Sequence, residues 1–145
     1  MKELDELRNC YAAYLTFVQE LGRRAAPTDG LLGFGSGPKD DPGHEKFYYA
    51  AKEKADALAA AGPSPEEARQ AVALVLQAEE AHQDEELAVW MLIAAQGHAL
   101  ALIDFLAPKD ADALLQWYQR RYPRRMRLPV QNQVFNALRR RAKAI

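Results

Sequence analysis

At 145 residues, with 49% hydrophobic and 27% charged side chains, the chain has the length and balance of one globular domain, which excludes a disordered or fibrous polypeptide. Its single cysteine, Cys10, excludes an internal disulfide framework and a Cys-based zinc centre, and fits a reducing, cytoplasmic setting. The net charge of −1 conceals a polarity: residues 1–112 hold 10 Lys/Arg and all 20 Asp/Glu, a net of −10, whereas residues 113–145 hold 9 Lys/Arg and no acid, a net of +9.

The first segment, Met1 to Leu7, alternates charge with leucine and lacks the apolar core of a secretory signal. Leu4, Leu7, Tyr11, Tyr14, Val18 and Leu21 follow in steps of three and four, which predicts an amphipathic helix over residues 2–24. Cys10 lies beside that stripe, as a small hydrophobe would. From Pro27 to Gly43 the chain spends five of its eight glycines and three of its eight prolines, so this stretch reads as a long irregular loop. Gly33, Phe34, Gly35 and Gly37 are its candidate contacts: glycine backbones can present N–H groups to an anion, and Phe34 suits docking. The loop fits neither a Walker motif nor a dinucleotide fingerprint, because Asp40 follows Lys39 and no strand precedes it.

Asp41-Pro42 restarts a helix, with Phe47, Tyr48, Ala51, Ala55 and Leu58 as its inner face. Gly62 marks that helix's end. Ser64 and Glu67 then form a capping box around Pro65 at the first helical position. Helical patterning runs from there to Leu106, with a break expected near Gln83-Asp84.

If the helix ran unbroken, Glu79, His82 and Glu86 would fall on the apolar stripe, and Glu-x-x-His is half of the motif of carboxylate-bridged di-metal bundles; with the break at Gln83 they are solvated near a bend. The second half of such a motif is missing from the sequence, so no cofactor is expected. If a metal were bound, these three residues would be its ligands. Residues 87–107 are long and apolar enough to raise the question of a membrane span. His98, Asp104 and the lack of flanking cations argue instead for a buried central helix, with both side chains satisfied in the core.

Pro108 closes that segment, Ala111, Leu115, Tyr118 and Tyr122 mark another helix, and Pro129 opens a last one with Val130, Val134, Leu138 and Ile145 inside. At about 100° per residue, Asn132, Gln133, Asn136, Arg139, Arg140 and Lys143 fall on the opposite face of that last helix. Together with Arg120, Arg121, Arg124, Arg125 and Arg127 they form the strongest candidate site in the sequence. Arg and Lys contact phosphates, and Arg, Asn and Gln carry the forked donors and acceptors that read base edges. The same cations equally suit an acidic protein surface.

These readings converge on an all-α chain, a compact bundle of five or six helices with one long Gly/Pro-rich loop. Residues 1–145 form a single domain, with an acidic body over 1–112 and a basic helical segment over 113–145. The expected function is an interaction module that binds a protein partner or a second copy through apolar and oppositely charged surfaces. Nucleic-acid binding by the basic segment is the first alternative, and a metal-dependent bundle enzyme the second.

Overall fold

The computed structural model describes residues 1–24, 42–78, 80 and 92–144, with the side chains of 18, 19, 21–24 and 42–45 outside that description. Six α-helices occur among the described residues: α1 (Lys2–Arg24), α2 (Pro42–Ala60), α3 (Pro65–Leu76), α4 (Leu100–Ile103), α5 (Pro108–Arg121) and α6 (Pro129–Ala142). Two 3-10 segments, η1 (Ala95–Ala99) and η2 (Arg124–Met126), precede α4 and α6. No strand is present among these residues, so the class is all-α.

Local chemistry explains where the helices start. Ser64 accepts a hydrogen bond from the Glu67 backbone N–H at 3.2 Å, and the Glu67 carboxylate accepts one from the Ser64 N–H at 2.9 Å. Two donors at the N-terminus of α3 are thus satisfied reciprocally, with Pro65 in the first turn. Gly62, at the end of α2, has φ +68°, a left-handed backbone that glycine tolerates without a Cβ clash. Proline likewise opens α5 and α6, where its missing N–H costs nothing. In α6 the Gln131 side-chain oxygen also accepts from the Leu128 N–H at 2.8 Å.

The apolar stripes read from the sequence turn inward. Leu4, Leu7, Tyr11 and Tyr14 of α1 are buried, as are Ala51, Ala55 and Leu58 of α2, and Ala111, Leu115 and Tyr118 of α5. In α6, Val134 and Leu138 are buried and Val130 half-buried. Helix α1 packs chiefly on α2, and α5 chiefly on α6. The segment η1–α4 lies between these pairs, touching α2, α3 and α6, and one continuous core draws on every helix. Cys10 is half-buried against that core, and burial pushes its thiol pKa up.

The central segment departs from expectation in two respects. Regular α-helix from Pro65 stops at Leu76, short of Gln83, and residues 95–99 wind as a 3-10 helix rather than continuing an α-helix. The tighter winding coincides with long-range constraints. Gly97 sits so close to α6 that a Cβ there would lie 3.2 Å from Val130 Cγ2. Its neighbours Gln96 and His98 are both buried and tied to tyrosine hydroxyls of other helices. Asp104, expected in the core, is exposed at the end of α4. Among the described residues no helix is long and apolar enough to cross a membrane.

Candidate polyanion-binding surface

Helices α5 and α6 form a helical hairpin joined by Tyr122–Leu128. Its inward side is fixed by Gln96, whose amide donates to the Tyr122 hydroxyl at 3.1 Å and accepts from the Tyr118 hydroxyl at 2.7 Å. Burial holds the Tyr118 phenol protonated, well above the ordinary tyrosine range, so it stays a donor. Trp117 Nε1 donates to the Glu80 carboxylate at 3.0 Å, which ties α5 to the segment after α3. The hairpin is therefore held by directional bonds as well as by its buried Leu114, Leu115, Val134 and Leu138.

Its outward side carries the candidate residues. Arg120, Arg121, Arg124, Arg125, Asn132, Gln133, Asn136, Arg139, Arg140 and Lys143 are all exposed. Arg120, Arg124, Arg125, Arg139, Arg140 and Lys143 make no ion pair with any carboxylate among the described residues.

Arg127 is different. It is half-buried, its Nε donates to the Tyr122 carbonyl at 2.9 Å, and its guanidinium lies 4.0 Å from the centre of the Phe135 ring. The structure gives it the task of bracing the turn against α6. Arg141, which the sequence did not single out as a contact, turns inward too: its Nε donates to the Leu106 carbonyl at 2.6 Å, satisfying the end of the η1–α4 segment. Neither role has a sequence signal: Arg127 bonds a carbonyl five residues back only through the shape of the turn, and Arg141 one 35 residues back through tertiary packing.

The acidic body presents a contrast. Its described ion pairs are internal: Lys2 and Lys54 with Glu6, Arg8 with Asp5, Lys52 with Asp56, and Arg69 with Glu66. Asp5, Glu6, Asp56 and Glu66 therefore have a cation of their own helix beside them, while Arg120, Arg124, Arg125, Arg139, Arg140 and Lys143 of the hairpin are exposed.

A second polar cluster is enclosed rather than exposed. The Tyr11 hydroxyl and His98 Nδ1 are 2.8 Å apart, and the Tyr48 ring centre is 4.5 Å from that of His98. Burial, helped by the Lys52 charge, lowers the His98 pKa to about 4, against opposing pulls from Asp56 and the Tyr48 backbone. His98 Nε2 makes no hydrogen bond of normal geometry among the described residues, although the Tyr48 backbone is near enough to favour the cation. A neutral imidazole between two tyrosines, closed off from solvent, is a core element and offers a substrate no access.

The remaining candidates, Glu79, His82 and Glu86 for a metal and Gly33, Phe34, Gly35 and Gly37 for the loop, lie outside the described residues. No cluster of metal-ligating side chains occurs among the described residues.

Fold and site together define an all-α bundle that ends in an outward-facing cationic hairpin. The chain matches no protein-family model, no curated protein and no solved structure.

Proposed function

We propose that this chain is an interaction module whose C-terminal hairpin docks on a polyanionic surface of its partner. One observation carries the reading. Arg120, Arg121, Arg124, Arg125, Arg139, Arg140 and Lys143 stand exposed on a hairpin that contains no acid after Asp112 and that Gln96, Arg127 and Arg141 brace from within. Exposed like charges raise the local potential and attract a polyanion from solution. Among the described residues none of the ion pairs joins a hairpin cation to a carboxylate of α1 to α3.

The test is salt elution from heparin and from polyaspartate beads. It compares the native chain with a variant carrying Arg139→Glu, Arg140→Glu and Lys143→Glu. The native chain is expected to bind both supports and to elute at clearly higher salt than the variant. Co-elution of the two proteins overturns the reading. Sedimentation of the native chain at low salt shows whether a second copy supplies the anionic surface.

A further inference from the structure

The exposed face of α6 narrows the choice of polyanion. Its 14 residues give a helix of about 21 Å. Asn132, Gln133, Asn136, Arg139, Arg140 and Lys143 fall within an arc of about 120° at the helical angular step, and every one is exposed. Within that arc the one apolar side chain is the exposed Pro129 of the first turn, and Val134, Ala137 and Leu138 are buried on the other side. Stable protein–protein interfaces concentrate apolar and aromatic anchors at their centre and exclude charge from it. This face has the reverse composition, which is that of a protein–DNA interface: polar, cationic and wet.

Two further features decide among nucleic acids. Single strands are held by rows of exposed aromatic rings on which bases stack. The exposed large hydrophobics of the described residues are Met1, Tyr49, Met126 and Leu128, so α6 offers no such row. Its one aromatic residue, Phe135, is covered by the guanidinium groups of Arg127 and Arg139 at 4.0 and 5.6 Å. Duplex RNA has a deep, narrow major groove that side chains cannot read, whereas the major groove of B-form DNA admits a whole helix.

We infer that the partner of the hairpin is B-form duplex DNA, with α6 along the major groove. The amides of Asn132, Gln133 and Asn136 face base edges, and Arg139, Arg140 and Lys143 meet phosphates. Arg120, Arg121, Arg124 and Arg125 lie along the flanking backbone. This assignment rests on the reading of the hairpin as a polyanion-docking surface and adds the identity of the polyanion.

Fluorescence anisotropy of the full chain tests it. The probes are a mixed-sequence DNA duplex of about two helical turns, its RNA counterpart and its single strand, each from about 50 to 200 mM salt. Binding to the DNA duplex is expected to be at least about tenfold tighter than to either other probe. Its affinity should fall with salt at a log–log slope steeper than about −3, since each phosphate contact contributes about −0.9. The Arg139→Glu, Arg140→Glu, Lys143→Glu variant, with its helical circular dichroism unchanged, should lose at least about tenfold in affinity and flatten that slope by about 3, at about 0.9 for each of the three contacts. The milder pair Arg140→Gln and Lys143→Gln should lose part of each.

Retention of the native chain on polyaspartate without duplex-DNA binding at the lowest salt overturns the DNA assignment and leaves the docking reading standing. Absence of both overturns both. Equal or tighter binding of duplex RNA or single strand overturns the major-groove placement, and unchanged affinity of the triple variant overturns the site.

Discussion

The imidazole of His98 is 3% exposed, and its one hydrogen bond of normal geometry joins Nδ1 to the Tyr11 hydroxyl at 2.8 Å. The protonated ring carries an N–H on both nitrogens, and that of Nε2 has no acceptor in bonding geometry among the described residues, in a site too enclosed to hydrate it. With the folded pKa near 4 and the ordinary histidine value at 6.5, the unfolded chain takes up this proton first as pH falls. The stability that the neutral ring contributes is complete above pH 6.5 and is lost progressively as pH falls from 6.5 towards 4. The full loss is about 3 kcal/mol at 1.36 kcal/mol per pKa unit. Urea unfolding at pH 7.5 and 4.5 measures it. The native chain should lose about 2 to 3 kcal/mol more across that interval than His98→Gln, which has no ring to titrate. Equal losses would show that other groups set the acid limit.

The hairpin separates cations that brace from cations that wait. Arg127 spans the turn: one hydrogen bond to the Tyr122 carbonyl, and a guanidinium face on Phe135. Removing it strips a half-buried carbonyl of its donor and a ring of its cover. Arg127→Ala should therefore cost about 1 to 2 kcal/mol, with most of that cost remaining in Arg127→Lys because a lysine reproduces neither the planar stack nor the fork. Arg140→Ala, at an exposed position without a described partner, should stay within about 0.5 kcal/mol. Thermal unfolding of the three variants side by side checks the ordering.

The contrast marks what the sequence makes legible at this scale. Helix starts are written locally, in Ser64-Pro65-x-Glu67, Pro108 and Pro129, and the buried faces of α1, α5 and α6 follow from spacing alone. The same periodicity correctly leaves Asn132 to Lys143 outside. Tertiary partners are not written locally. Arg141 reaches a carbonyl 35 residues earlier, and Gln96 reaches hydroxyls 22 and 26 residues later. The 3-10 winding of Ala95–Ala99 belongs with these: its constraints come from Tyr11, Tyr118, Tyr122 and Val130 on three other helices.

For the molecule as a whole, cation density and cation placement make different predictions about ligand binding and stability. An unfolded chain keeps all nine C-terminal cations of residues 113–145, so a polyanion binds it as well. Only affinity that depends on the folded arrangement stabilises the native state. A flexible tail would bind a polyanion equally in both states and leave the unfolding midpoint unmoved. The hairpin instead holds its cations on two packed helices, with Arg127 and Arg141 anchoring the turn and the C-terminal end to the core.

Heparin at about 100 times its dissociation constant should then raise stability by up to about 2.7 kcal/mol, less whatever the unfolded chain recovers. The variant Arg139→Gln, Arg140→Gln, Lys143→Gln should show a much smaller rise. Without ligand at about 0.15 M salt it should unfold within about 0.5 kcal/mol of the native chain. Opposing contributions keep that difference small. Relieved repulsion in the pairs Arg139–Lys143 and Arg140–Lys143 offsets the lost attraction of these cations to the C-terminal end of the α6 dipole and the loss of the Arg139 guanidinium from the Phe135 ring, 5.6 Å away. Thermal unfolding with and without heparin reads both numbers. A ligand-induced rise of the same size in both proteins would locate recognition away from α6. No rise in the native chain would mean that cation density alone, and not the hairpin, holds the polyanion.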